Sequence, residues 1–312
     1  MSTFVTRNMT PIVVLIGIVM GFMFPTIGLL WKNYVGLLLI LLMFFSYLRI
    51  DSGDVKDSLQ SGKPLALALF MAYVFLPLLA LIGRVFFEPI LFSGVLLAFA
   101  SPPAAATAFW ARNCKGDVAF ALVVTATASV LAIITVPVTM LFATGSIMPF
   151  DPYPMVLLLA ELILVPVTAV FLLRQAVHID WARITRQTSH LELVIVFLLI
   201  WGSIAPGIES VMSNLVQFGL LNVFMFFCLG SGFGLSYLVG RKFGYERGIT
   251  IGIATCVKNA GLSLVIGLTM FGSAVIPPLI ANLVAQNLLI VSLQTRLRNK
   301  LKRQSNDSCK ED

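Results

Sequence analysis

Long runs of apolar residues, each bounded by a short polar stretch, recur along the whole 312-residue chain. A helix needs about 20 apolar residues to cross the roughly 30 Å hydrocarbon core of a bilayer. The pattern therefore predicts an all-α integral membrane protein with ten transmembrane helices. The predicted segments are 9–30, 33–48, 64–87, 89–112, 117–143, 154–175, 190–208, 216–240, 247–272 and 274–295.

The composition agrees with a membrane protein and excludes a soluble domain. Hydrophobic residues make up 59% of the chain and charged residues only 11%, whereas soluble domains carry about 25% charged residues. The net charge of +7 would suit a nucleic-acid partner, but the basic residues lie in short loops and in the tail, where they face lipid headgroups. We therefore expect contact with the lipid bilayer, and no nucleic acid, protein partner or cofactor.

Basic residues are distributed very unequally between the two sides of the predicted bundle. Of the 21 Lys and Arg residues, 18 fall on one side, and only Lys32 and Arg84 fall on the other. Because cytoplasmic loops are enriched in basic residues, both termini are predicted to lie in the cytoplasm, with the chain in the cell membrane. The one basic residue left over is Lys258, within the ninth segment.

The hydropathy pattern of the first half of the chain is repeated in the second half. Segments two to five recur as segments seven to ten at offsets of about 155 residues, and five segments per half imply that the halves enter the membrane from opposite sides. Such inverted repeats are common in secondary transporters. We predict a single transporter domain, with one repeat over 1–145, a second over 150–296, and a basic cytoplasmic tail over 297–312.

Two segments contain residues that should interrupt a helix near the middle of the membrane. Pro102 and Pro103 lack an N–H group and disfavour helical conformation in the residue before them, and small residues with Thr107 follow. In the ninth segment, Asn259 and Gly261 follow Lys258 and favour an irregular turn. Interruptions at corresponding positions of two repeats indicate a binding site where the broken helices cross.

Short motifs at these two breaks resemble those of a known transporter family. The motifs are PPAAATA at 102–108 followed by KGD at 115–117, and NAGL at 259–262. In these motifs the chain resembles the bile acid:sodium symporter family, part of a larger group that includes arsenite efflux proteins. The resemblance implies ten helices in two inverted five-helix repeats, in which broken helices 4 and 9 cross.

The chain departs from that family at the positions that hold its two sodium ions. The resemblance implies sodium ligands on helices 4, 5 and 9, including a glutamate and a glutamine on helix 9. Too few side-chain oxygens remain here to surround a hard cation, so we predict a divergent, sodium-independent member. The residues at the sodium-ligand positions are Ala254 and Lys258 on helix 9, Thr107 and Ala108 on helix 4, and Ala121 and Thr125 on helix 5.

The departure suggests a role for Lys258. We hypothesise that its ammonium group takes the place of a sodium ion and donates to exposed carbonyls and to Thr107 or Thr125. A lysine at the bilayer centre costs roughly 2.5–3.5 kcal/mol, which argues against an idle position facing lipid. The alternative is an ion pair with Glu161, the one acidic residue deep in a predicted segment.

Together these features predict a secondary transporter that moves a small organic solute, expected to be an anion, by alternating access. A sodium-coupled symporter, a proton-coupled symporter in which Lys258 gains and loses a proton, and a ligand-binding receptor or sensor remain as alternatives.

No catalytic or metal-ligating residues are predicted, because both histidines, His178 and His190, fall between segments six and seven. Interhelical hydrogen bonding is the competing interpretation for Gln286 and Asn287. The substrate-binding candidates are Pro102, Pro103, Thr107, Asn259, Gln286 and Asn287, and the ion-coupling candidates are Lys258, Thr107, Thr125 and Glu161.

Overall fold

The computed structural model describes residues 9–48, 62–145, 150–177 and 188–308, together with residues 181 and 184. All the regular elements in this part of the chain are helices, and it contains no β-strand. The helices are α1 (Met9–Met23), α2 (Pro25–Tyr47), α3 (Gly62–Val85), α4 (Pro89–Ala100), α5 (Ala106–Asn113), α6 (Val118–Thr144), α7 (Pro152–Ala176), α8 (His190–Ser213), α9 (Leu215–Gly240), α10 (Tyr245–Cys256), α11 (Ala260–Phe271) and α12 (Ile276–Ser308).

Seven helices among the described residues are long and apolar enough to cross a membrane, namely α2, α3, α6, α7, α8, α9 and α12. The helices α1, α4 and α11 are apolar but shorter. Large apolar side chains such as Val85, Phe142 and Val216 are more than three-quarters exposed, as expected for surfaces that face lipid rather than water. The chain is thus a multi-pass membrane protein.

Both predicted helix breaks are present. The fourth predicted segment is divided into α4, which ends at Ala100, and α5, which begins at Ala106. The ninth is divided into α10, which ends at Cys256, and α11, which begins at Ala260. Prolines account for the first break.

Some predicted boundaries are wrong. The first segment was expected to run to residue 30, but α1 ends at Met23 and α2 begins at Pro25, because the residue before a proline is driven out of helical conformation. At the other end of the chain, α12 remains helical to Ser308 and so continues into the predicted tail.

Two tryptophans join α2 to α8. Trp31 in α2 donates its indole N–H to the Leu198 carbonyl, and Trp201 in α8 donates to the Phe24 carbonyl, each at 3.1 Å. The two rings meet edge to face with centroids 4.9 Å apart. These reciprocal bonds hold α2 and α8 together at the end of the bundle where Lys32 lies.

Gly94 allows α4 to approach α12 closely. A Cβ atom at this position would lie 2.3 Å from Pro278 Cγ and 2.8 Å from the Val275 carbonyl oxygen. We expect Gly94→Ala to lower the melting temperature in detergent, because overpacking a tight contact costs about 1–3 kcal/mol.

The matched control for Gly94 is Gly219, which lies in α9 and would have nothing within 4 Å of an added Cβ. Gly219→Ala should keep or slightly raise the melting temperature, since alanine favours a helix by up to about 1 kcal/mol over glycine. Equal melting temperatures for the two variants would contradict the close-packing interpretation.

Candidate functional site

The two helix breaks meet and pair through their backbones. The Ala104 N–H donates to the Val257 carbonyl at 2.9 Å, and the Asn259 N–H donates to the Pro102 carbonyl at 2.8 Å. Pro103 and Lys258 face each other as an isolated antiparallel bridge. Since backbone groups freed inside a membrane must find partners within the protein, each break supplies the hydrogen bonds that the other needs.

Lys258 lies at the centre of this crossing and is completely buried. Its Nζ donates to the Ala72 carbonyl oxygen of α3 at 2.8 Å. The same Nζ lies 5.8 Å from the centroid of the Tyr73 ring, within the range of a cation–π interaction. The ammonium group therefore contacts α3, although its backbone belongs to the break between α10 and α11.

The Ala72 carbonyl is available because α3 contains a π-helical turn over Met71–Phe75. In this turn the Leu76 N–H donates to the Met71 carbonyl. In a continued π-helix the N–H of residue 77 would donate to the Ala72 carbonyl. Residue 77 is a proline and has no N–H, so the Ala72 carbonyl lacks a backbone donor. The Lys258 ammonium supplies that donor. Such π turns often mark functional sites.

The two threonines predicted as partners of the Lys258 ammonium group are not among its hydrogen-bond partners. Thr125 Oγ1 donates to the Ala121 carbonyl of its own helix at 2.8 Å, and Thr107 Oγ1 is buried without a hydrogen-bond partner among the described residues. The alternative ion pair is also absent from this part of the chain, because Glu161 is exposed on α7. The ammonium group bonds to a free carbonyl as expected, but this carbonyl is that of Ala72 in α3 and not one at the helix breaks.

Three of the six positions that the family resemblance assigns to sodium ligands are alanines, at 108, 121 and 254. Ala254 is completely buried, in a hydrophobic cluster that includes Met71, Phe120 and Ile251. Ala121 is also completely buried. Neither side chain carries an oxygen, so the surroundings of Ala254 suit an apolar group rather than a hard cation.

Of the three remaining predicted site residues, Gln286 and Asn259 support the crossing and Asn287 does not. Gln286 Oε1 accepts a hydrogen bond from the Lys258 backbone N–H at 2.8 Å. Asn259 Oδ1 caps α11 by accepting from the Leu262 N–H at 3.1 Å. Asn287 Nδ2 donates only along its own helix, to the Leu283 carbonyl at 2.7 Å.

A cavity of about 900 Å³ lies between α2, α7, the end of α8 and α11. Its charged lining residues are Lys32, Glu161 and Glu209, and its polar ones are Thr26, Asn33, Thr269 and Ser273. Of the predicted site residues, only Glu161 is among those that line it. The lining residues of α11 begin at Val265, five residues beyond Ala260, or about 8 Å along the helix. Neither Ala72 nor Gln286, which bond to Lys258, lines the cavity, although the cavity shares α11 with the crossing.

Sequence reasoning missed Ala72, Tyr73 and the cavity residues Lys32 and Glu209. Pro77 in the third segment was the available signal for the first pair, because a proline inside an apolar helix frees a carbonyl one turn earlier. Lys32 and Glu209 lie near predicted helix ends, where a charged residue is ordinary, and no sequence signal separates them from other loop charges.

The chain matches one transporter family and several individual proteins. The profile described as the Sodium Bile acid symporter family matches residues 36–214. YbaS, an uncharacterized protein of Bacillus subtilis, is 24% identical over 255 residues, which cover 79% of this chain and 82% of that protein. YocS of the same bacterium, named an uncharacterized sodium-dependent transporter, is 23% identical over 265 residues, or 83% and 81% of the two chains. The probable sodium/metabolite cotransporter BASS1 of Oryza sativa is 24% identical over 226 residues, covering 70% of this chain and 54% of its own.

Proposed function

Because the chain belongs to the sodium bile acid symporter family, we propose that it is a secondary transporter that moves a small organic anion by alternating access without sodium. In this proposal the Lys258 ammonium group does the work of a bound sodium ion. The observation that carries it is the complete burial of Lys258 at the crossing, with Nζ bonded to the Ala72 carbonyl.

The proposed topology has ten crossings in two inverted five-helix repeats. The seven long helices provide seven crossings, α1 provides another, and the pairs α4–α5 and α10–α11 provide one each. The broken pairs then occupy the fourth and ninth positions, five crossings apart, as an inverted repeat requires. With the observed bias of basic residues, both termini lie in the cytoplasm of a cell.

A tethered ammonium group and a sodium ion share the property that matters at such a crossing, which is a positive charge that attracts carbonyl oxygens. Burying a charge in protein costs several kcal/mol unless it is paired with good geometry. Here a carbonyl oxygen and an aromatic ring face the charge. A covalently attached cation cannot dissociate, so it would stabilise the crossing without drawing on a sodium gradient.

The cavity is the proposed solute path. It is lined by the helix ends near Lys32 and Glu209, which the charge bias assigns to the side opposite the cytoplasm. Its volume of about 900 Å³ is within the usual range for small-molecule sites, roughly 300–1,000 Å³. Alternating access would close this cavity and open one on the other side of the crossing.

Sodium-coupled transport is the second candidate, favoured by the relatives named as a sodium-dependent transporter and a sodium/metabolite cotransporter. The apolar surroundings of Ala254 argue against it. A proton-coupled mechanism remains compatible with the proposal, because Lys258 could release and regain a proton during the cycle.

The test is uptake of radiolabelled mono- and dicarboxylates and amino acids into liposomes that contain the purified protein. We expect initial rates to agree within about twofold when external sodium is replaced by choline, since no ion has to bind. Rates that require sodium would overturn the sodium-independent part of the proposal, and tight binding without flux would favour a receptor.

A second measurement detects sodium binding even before a solute is identified. A site occupied at 100 times its dissociation constant stabilises a protein by about 2.7 kcal/mol. We expect the melting temperature in sodium chloride to equal that in choline chloride at the same ionic strength. A rise specific to sodium would contradict the proposal.

A further inference from the structure

Glu161 is a carboxylate placed deep within the membrane and directed at the cavity. It lies nine residues after Pro152, at the start of α7, or about 14 Å along the helix. That distance is close to half the hydrocarbon thickness of roughly 30 Å. The side chain is exposed and lines the cavity. An ionisable group at this depth is costly and generally marks a substrate or ion pathway.

The cavity presents more negative than positive charge. Its lining contains two glutamates, Glu161 and Glu209, against one lysine, Lys32. Lys32 belongs to the 3-10 turn Leu29–Tyr34, and Glu209 to the last turns of α8. Glu209 is four residues before the end of α8, Lys32 is seven residues after the start of α2, and Glu161 is nine residues after the start of α7. The buried ammonium group of Lys258 is not part of this lining.

A solute that carries only negative charge would therefore be repelled by the Glu161 carboxylate in the cavity. Lys32 is the one basic residue among the described lining residues, and no ion pair joins it to Glu161 in the described part of the chain. A positive group on the solute could therefore pair with Glu161 while Lys32 attracts a carboxylate. Like charges brought together in a cavity with low-dielectric walls repel strongly. The lining suits a solute that carries opposite charges on its two ends.

We propose that the transported solute is a zwitterion, of the amino-acid or betaine type, whose cationic nitrogen pairs with Glu161 and whose carboxylate faces Lys32. This inference rests on the proposed transport function and replaces its anionic solute with one that carries a carboxylate and a cationic nitrogen. It gives Glu161 a role in selecting the solute rather than in pairing with Lys258.

The first experiment measures the charge preference of the cavity without a known solute. Thr269→Cys, made with Cys309→Ser, provides one reactive thiol on the lining, since Cys114, Cys228 and Cys256 are buried. Its rate of reaction is measured with two membrane-impermeant methanethiosulfonates, one bearing a trimethylammonium group and one a sulfonate. We expect Glu161→Gln to lower the cation-to-anion rate ratio by about tenfold, because the nearby carboxylate attracts one reagent and repels the other.

The matched control is Glu88→Gln. Glu88 precedes α4 and lines a different, smaller pocket, so its replacement should leave the ratio unchanged. A ratio that is the same with and without Glu161, or that changes equally with Glu88, would overturn the inference.

The second experiment compares uptake of four-carbon compounds that differ only in charge, namely 4-aminobutyrate, butyrate, succinate and butylamine. We expect wild type to prefer 4-aminobutyrate and Glu161→Gln to shift the preference toward butyrate by about tenfold or more. Preference of the wild type for butyrate or succinate would refute the zwitterion and support the proposed transport. Absence of flux for all four would count against the proposed function, and the labelling ratio would then decide the charge preference of the cavity by itself.

Discussion

Lys258→Met should reduce solute uptake by about 100-fold while the protein still folds. Methionine has a similar length but offers no charge and no donor, so the Ala72 carbonyl loses its partner and Tyr73 loses its cation. A hydrogen bond from a charged group contributes about 1.5–3 kcal/mol, and a desolvated cation–π contact about 2 kcal/mol. Removing the buried charge also removes its desolvation cost of several kcal/mol. These effects offset each other in the free energy of unfolding, which we expect to change by less than about 2 kcal/mol.

In the proposed mechanism transport has no such offset, because it requires the positive charge to draw the two breaks and α3 together. A change of about 3 kcal/mol in the balance between conformations corresponds to about 100-fold in population. The measurements are initial uptake rates in liposomes and melting temperatures in detergent. A methionine variant that transports at the wild-type rate would show that the charge is not needed.

Two further variants test whether the loss of uptake is specific to the positive charge at position 258. Lys258→Gln keeps a hydrogen-bond donor without the charge, and the alanines at 108, 121 and 254 remain, so we expect this variant to be as slow as Lys258→Met with or without sodium. Lys242→Met removes an exposed lysine after α9 and should leave uptake unchanged. A Gln variant that transports at the wild-type rate would refute the idea that the positive charge does the work of a sodium ion.

The sequence predicted those features of the fold that depend on local chemistry. Pro102 and Pro103 break a helix whatever surrounds them, and the capping oxygen of Asn259 favours the start of α11. For the third to sixth, eighth and ninth predicted segments, the alternation of apolar and polar stretches located the helix ends to within two residues. Boundaries were wrong where a proline acted on its neighbour, as at Phe24 and Pro25.

The contacts of Lys258 could not be predicted, because they depend on which helix packs beside the crossing. Ala72 has no chemical distinction in the sequence, and its carbonyl becomes an acceptor only through the π turn and Pro77. The cavity likewise combines residues from α2, α7, α8 and α11 that are distant in the chain. The sequence pointed to Glu161 because this residue lies deep in a predicted segment. Lys258, which was considered as its ion-pair partner, contacts α3 and not α7.

The same comparison changes the interpretation of the two amides on α12. Gln286 and Asn287 are adjacent and chemically similar, and both were candidates for solute binding. The structure gives only Gln286 a partner outside its own helix, the Lys258 backbone N–H. The crossing therefore includes α12 as well as α3, so Lys258 is held by its backbone on one side and by its ammonium group on the other.

Gln286→Leu should lower the melting temperature and reduce uptake by about tenfold, whereas Asn287→Leu should change neither. Leucine at 286 leaves the Lys258 N–H buried without an acceptor, which costs about 1–3 kcal/mol, and the strain falls on the break where the carrier must move. Asn287 Nδ2 donates to Leu283 on its own helix, and its loss should cost less than about 0.6 kcal/mol. Melting temperatures and uptake kinetics of both variants are the measurements. If Gln286→Leu were as stable as wild type and only raised the half-saturation concentration for the solute, Gln286 would be a solute ligand rather than the support of Lys258.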